Sequence, residues 1–186
     1  MTIYLKNMVC NRCKMVVRAI FEEVGLHPVR VELGEVEIQE ADLSGVRDQL
    51  VPKLQSVGFE MLDNKKSQTI ERIKNVVTDI VHNRNYDLDT NLSDYLALEL
   101  RQDYSSLSSL FSEVEGTTIE KYVILQKIEK VKELLVYDEK TLSEIAFQLH
   151  YSSVAYLSNQ FKKVTGLSPS HFKKQRTIPR KPLDEV

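Results

Sequence analysis

The sequence predicts an α+β chain, with a βαββαβ unit over residues 1–63 followed by an all-α unit over residues 70–176. Three observations predict it. Period-two alternation of apolar and polar residues is confined to the first third, where two segments of helical period interrupt it. From Thr69 onward every apolar stripe has helical spacing. Within that half, Leu107-Ser-Ser-Leu-Phe111 with Gly116 returns fifty residues later as Leu157-Ser-Asn-Gln-Phe161 with Gly166. An aromatic follows each glycine by six residues, Tyr122 and Phe172.

Residues 2–9 alternate as a strand with Ile3 and Leu5 on one side. From Arg12, Val16, Val17, Ala19, Ile20 and Val24 recur at helical spacing, and Gly25 supplies a stop. Residues 29–33 alternate, Gly34-Glu35 turns, and residues 36–38 alternate again, a hairpin signal. Ser44 is the expected N-cap of a second helix with Val46, Leu50, Val51, Leu54 and Val57 inside. Gly58 ends it, and residues 59–62 form a last short strand. This order is that of a ferredoxin-like unit, small but large enough to fold.

A polar stretch over residues 64–69 is the expected hinge. Ile70, Ile73, Val76, Val77, Ile80 and Val81 then form one stripe. The repeat divides the rest into two helix-turn-helix units, about 92–116 and 142–166, joined by a long helix of about 118–136, with a basic then acidic tail over 177–186. In such a unit the first helix braces on the backbone while the second lies in the major groove. In the second unit Ile145, Ala146 and Leu149 pack inward, and small Ala146 lets two helices cross closely. His150-Tyr151 occupies the turn. The next helix, from about Ser153 to Lys163, buries Val154, Leu157 and Phe161. Ser153, Ala155, Tyr156, Ser158, Asn159, Lys162 and Lys163 are left to meet bases and phosphates. In the first unit the corresponding residues are Ser105, Ser106 and Ser109.

Net charge of −2 gives no global pull toward nucleic acid, so DNA binding rests on local cations. These are Lys162-Lys163 and the run Lys173, Lys174, Arg176, Arg180 and Lys181. No apolar run reaches the roughly 20 residues of a membrane span, which makes the cytoplasm the expected location. No phosphate-binding glycine loop, Ser/His/Asp series or paired-carboxylate site is present, and the expectation is a protein that is not an enzyme.

Residues from about 71 to 176 resemble the bipartite DNA-binding domain of AraC-type transcription regulators. Ile145-Ala146, Phe161-Lys-Lys-Val-Thr-Gly166, Ser168-Pro169 and Phe172 carry the likeness, and Lys127 to Leu135 resembles that family's linker helix. Departures are specific. His150-Tyr151 stands where the family usually has Gly-Phe, and Asn159 and Ser109 replace a common basic residue. Ser112-Glu113 replaces a lysine pair. The first reading helix, Ser105 to Glu113, therefore has no cation, and the second unit is expected to dominate affinity.

The two cysteines, Cys10 and Cys13, are two residues apart at a strand-to-helix junction. In a reducing compartment such a pair reads as metal-binding or redox-active. The helix N-terminus, Arg12 and Lys14 are expected to lower both thiol pKa values. Soft thiolates select copper(I) or zinc; zinc normally takes four ligands, whereas two suit copper(I). A thiol–disulfide switch and an idle pair on a retained scaffold remain alternatives. The four histidines have no ligand spacing with the cysteines.

Met8-Val-Cys-Asn-Arg-Cys13 on this frame resembles the heavy-metal-associated domain of copper chaperones and copper pumps. The likeness implies that Cys10 and Cys13 hold the metal, that Met8 is buried beside it, and that Gly58-Phe59 flanks the loop. Asn7 and Val9 depart from that family's glycine and short polar residue. The two resemblances together imply a DNA-binding regulator responsive to a thiophilic metal, with double-stranded DNA and a second copy of the chain as expected partners. The alternative is a metal carrier or redox switch whose helical half is an interaction scaffold.

Overall fold

The computed structural model describes residues 1–137 and 139–175, so the expected tail over 177–186, with Arg176, Arg180 and Lys181, lies outside the described residues. The chain divides into two compact units, Met1–Asn75 and Val76–Val186.

The first unit runs β1 (Thr2–Lys6), α1 (Asn11–Glu23), β2 (Pro28–Glu32), β3 (Glu35–Ile38), α2 (Arg47–Ser56) and β4 (Glu60–Met61). Its one four-stranded antiparallel sheet has the order β2-β3-β1-β4, with Ile3 opposite Val36 and Leu5 opposite Met61. Ile3, Leu5, Met8 and Val36 share one core with Val17, Ile20 and Phe21 of α1 and with Leu50 and Leu54 of α2. The turn at Gly34 admits no side chain. Its φ is +83°, and a Cβ there would sit 2.1 Å from the amide of Asn75, which donates to the carbonyl of Leu33.

Four local expectations are corrected. Val16 and Ala19 are exposed, because the buried stripe of α1 is Val17, Ile20, Phe21 and Val24, one helical face that excludes both. Ser44 does not cap α2: the Asp42 carboxylate takes the Ser44 N–H at 2.7 Å, an Asx turn, and the helix starts at Arg47 after Val46. Val57 is exposed beyond the end of that helix. Residues 65–69 of the expected hinge are helical, since Asn64 accepts the Ser67 N–H at 2.7 Å and starts α3 (Lys65–His82).

The second unit holds the end of α3, then α4 (Leu92–Leu100), α5 (Tyr104–Glu115), α6 (Ile119–Tyr137), α7 (Leu142–Gln148), α8 (Val154–Thr165) and α9 (Pro169–Gln175). Caps fix most boundaries. Asn91, Asp103, Thr141 and Ser153 each accept a backbone N–H with the side chain, and Thr141 with Glu144 completes a capping box. Gly116 and Gly166 end α5 and α8 in the left-handed conformation. Ile128, Val131 and Leu135 of α6 pack with Ile145, Ala146, Leu149, Leu157, Phe161 and Phe172. Among the described residues no helix is long and apolar enough to cross a membrane.

Candidate nucleic-acid interface

The fifty-residue repeat is a structural duplication. From Asp103 to Tyr122 and from Ser153 to Phe172, buried, half-buried and exposed positions coincide residue for residue. Phe111 packs at a tilt of 53° on Tyr122 with ring centroids 5.6 Å apart, and Phe161 meets Phe172 edge to face at 5.4 Å. Short α9 therefore repeats the start of α6. The copies differ at the turn. Arg101 and His150 take the left-handed conformation with φ of 52° each, but only one residue, Gln102, separates Arg101 from its helix cap Asp103, while Tyr151 and Ser152 separate His150 from Ser153.

On α8 the exposed residues are Ala155, Tyr156, Asn159, Lys162, Lys163 and Val164, with Tyr156 53% exposed. Its inner face is Leu157 and Phe161, with Val154 half-buried. Ser158 is half-buried, so it lies beside the outer strip rather than on it. Ser153 sits at the helix N-terminus, where its hydroxyl oxygen accepts the Tyr156 N–H at 3.0 Å and keeps its own proton to donate. The surface thus runs from a capped N-terminus through amide and phenol groups to two lysines, and Lys173 and Lys174 of α9 are exposed as well.

On α5 the matching strip is Ser105, Ser106, Ser109, Ser112 and Glu113. Ser105 donates to the Asp103 carboxylate at 2.5 Å, and the Ser106 N–H donates to it at 3.2 Å. The Ser105 hydroxyl proton is therefore held within the chain, and those bonds keep the Asp103 pKa below the usual aspartate value. An ionised carboxylate at the head of α5 repels phosphate. The two duplicated helices are alike in shape and opposite in charge.

Sequence reasoning missed the residue that underlies the second turn. Lys127 of α6 lies between Val123 and Val131 on the buried face, 9% exposed. Its ammonium donates to the Leu149 carbonyl at 3.0 Å and stands 3.2 Å from the centre of the Tyr86 ring. Burial pushes its pKa down to about 8. The signal was present: a lysine four residues from a valine on either side falls on an apolar helix face.

In the first unit, the Cys10 and Cys13 sulfurs are 3.4 Å apart as free thiols, with Cys10 just before α1 and Cys13 in its first turn. Their electrostatics differ from expectation. Burial raises the Cys10 pKa, but hydrogen bonds from Cys13 and the Arg12 N–H and charge outweigh it, leaving Cys10 below an ordinary thiol. Burial and the neighbouring Cys10 push Cys13 up instead. Lys14 pairs with Glu32 at 2.6 Å. Among the described residues no third His, Cys, Asp or Glu joins the pair, and Met8 is buried in the core. The donors fit a two-coordinate soft ion and do not fit tetrahedral zinc.

Residues 96–175 match the family model described as "Helix-turn-helix domain". The chain is 25% identical over 117 residues to an uncharacterized HTH-type transcriptional regulator, YtdP, of Bacillus subtilis, covering 62% of this chain and 15% of that one. It is 30% identical over 112 residues to an uncharacterized transcriptional regulatory protein, YesN, of the same organism, covering 59% and 29%. The chain thus spans less than a third of either relative. Among solved structures, the C-terminal domain of AraT, a response regulator from Geobacillus stearothermophilus, is similar with a TM-score of 0.52 and 25% identity, over 64% of this chain and 94% of that one. Residues 96–175 of this chain are therefore similar to a helix-turn-helix domain.

Proposed function

We propose that the chain is a cytoplasmic, sequence-specific DNA-binding transcription regulator rather than an enzyme, with α8 as its main reading helix. One observation carries this: α8 keeps the frame of its duplicate α5 while exposing Asn159, Lys162 and Lys163 where α5 exposes Ser109, Ser112 and Glu113. Base-directed side chains specify, and cations supply salt-dependent affinity. The N-terminal unit is read as ferredoxin-like and as the sensor. Its Cys10/Cys13 pair would hold copper(I), supported by two soft donors 3.4 Å apart, and the metal would alter DNA affinity or the pairing of two copies. A thiol–disulfide switch is the second reading, favoured by one lowered and one raised thiol at that distance.

The test is a titration of a labelled duplex from the protein's own upstream region across salt, with and without copper(I) under reducing conditions. Log affinity is expected to fall with log salt by about 0.9 for each phosphate neutralised, and Lys162→Ala to reduce that slope by about 1. Absence of any specific binding would overturn the regulator reading and favour a metal carrier whose helical half is a scaffold. Specific binding indifferent to copper but sensitive to oxidant would favour the disulfide switch.

A further inference from the structure

Two consecutive non-glycine residues, Asn85 with φ of 55° and Tyr86 with φ of 62°, take the left-handed conformation in the loop between α3 and α4. Such backbone persists only where surrounding contacts over-determine it; the Tyr86 N–H bonds the Ile80 carbonyl of α3 at 2.7 Å, while the side chains of both residues lead to one place. The Asn85 side-chain oxygen accepts a bond of 2.6 Å from Gln148, the last residue of α7. The Tyr86 ring covers the Lys127 ammonium at 3.2 Å, and Tyr151 stands 5.3 Å from the same ammonium on its other contact. Lys127 in turn donates to the carbonyl of Leu149, the C-cap of α7. A cation at a helix C-terminus satisfies an orphan carbonyl and opposes the helix dipole. Next door, His82 at the end of α3 pairs with the buried Gln126 side chain at 2.9 Å. The strained loop, the linker helix and the turn before α8 are thus joined through one buried charge.

We infer that Lys127, held by the rings of Tyr86 and Tyr151, is a positioning residue for DNA reading: its charge sets the Leu149–Ser153 turn and so the placement of α8. The inference rests on the DNA-reading proposal for its consequence, though not for its geometry. The groups facing Lys127 are the Tyr86 and Tyr151 phenols, both with pKa values raised by burial and so neutral. Behind them stand Tyr156, and Tyr104 with its partner Glu120. Loss of the Lys127 proton removes the attraction to the rings and weakens the bond to Leu149, loosening the turn.

The full chain is compared as wild type, Lys127→Met, Lys127→Arg, Tyr86→Leu, Tyr86→Phe and the double Lys127→Met/Tyr86→Leu variant. Two readouts are amide hydrogen exchange at residues 149–153 and affinity for a duplex from the protein's own upstream region. Lys127→Met and Tyr86→Leu are each expected to speed exchange in the turn and to weaken DNA binding about tenfold, the size of one desolvated cation–π contact. The double variant is expected to be no worse than either single one, because both remove the same contact. Arginine at 127 and phenylalanine at 86 should restore wild-type behaviour. Wild-type DNA affinity should also decline as pH passes about 8, and the Lys127→Arg variant should not share that decline. Additive losses, or unchanged exchange at 149–153 in both single variants, would overturn the inference. If Lys127→Met does not fold, Tyr86→Leu and the wild-type pH profile decide it. If the wild-type chain binds no duplex, the regulator proposal fails alone and hydrogen exchange still decides the clamp.

Discussion

At the scale of single residues, two side chains carry costs that the fold absorbs. His150 adopts φ of 52° at the turn of the second helix-turn-helix, a conformation that glycine reaches without a Cβ penalty. His150→Gly is therefore expected to stabilise the helical unit by about 0.5–1 kcal/mol, the relief of left-handed strain less the greater freedom of an unfolded glycine. Thermal denaturation checks this, and a lower melting temperature would show that the imidazole makes a contribution the backbone argument lacks. Lys127 carries a different cost. Burial lowers its pKa to about 8, while an unfolded lysine titrates near its ordinary value. Between those two points the unfolded chain binds more protons than the folded one, so this residue's contribution to stability rises as pH climbs through that window. The gain is up to about 3 kcal/mol, read as the pH-dependent difference in urea stability between wild type and Lys127→Met. Wild-type stability that falls relative to Lys127→Met as pH rises would contradict it. Stability rising while DNA affinity falls, over the same pH range, separates a positioning charge from a merely structural one.

At the scale of elements, duplication preserves shape and alters chemistry. Helices α5 and α8 share caps, left-handed glycines and a buried Leu-x-x-x-Phe stripe, because those features decide whether the element forms and packs. The outward faces are free of that constraint and have diverged to Ser112-Glu113 against Lys162-Lys163. Ser112→Lys combined with Glu113→Lys is expected to leave α5 folded, since both positions are exposed, and to raise DNA affinity with a steeper salt slope by up to about 2. An unchanged slope would place α5 away from phosphates and assign it to bracing. Most of this level is legible in the sequence. Spacing and capping residues reveal α5, α6 and α8 within a residue or two. Ser44 does not cap because the N–H groups of Val46 and Arg47 both bond the Leu43 carbonyl at 3.1 Å, a local contest that composition does not resolve.

At the scale of the whole molecule, one chain joins a four-stranded sheet unit bearing a thiol pair to a helical unit bearing a duplicated helical motif. Helix α3 belongs to both: Glu71 accepts the backbone N–H of Asn7, just after β1, at 3.2 Å, while His82 at the other end reaches Gln126. If the thiol loop is the sensor, Cys10→Ser with Cys13→Ser is expected to leave metal-free DNA affinity near wild type and to abolish any shift caused by copper(I). A copper(I) shift that survives the double substitution would move the sensing site elsewhere. Regulatory coupling between sites typically amounts to about 1–3 kcal/mol, a five- to 150-fold change that a binding titration resolves.

The sequence by itself determined the order of strands and helices, the fifty-residue repeat and the position of the cysteines. All of these follow from periodicity, capping and spacing along the chain, which neighbouring residues set. Only the tertiary structure decided which residues far apart in sequence meet. It placed Lys127 beneath the Leu149 carbonyl and the Tyr86 ring, paired Lys14 with Glu32, and set unlike pKa values on two cysteines with similar local surroundings. Burial and charge act through space, and the desolvation that shifts a lysine or a thiol depends on every element packed around it.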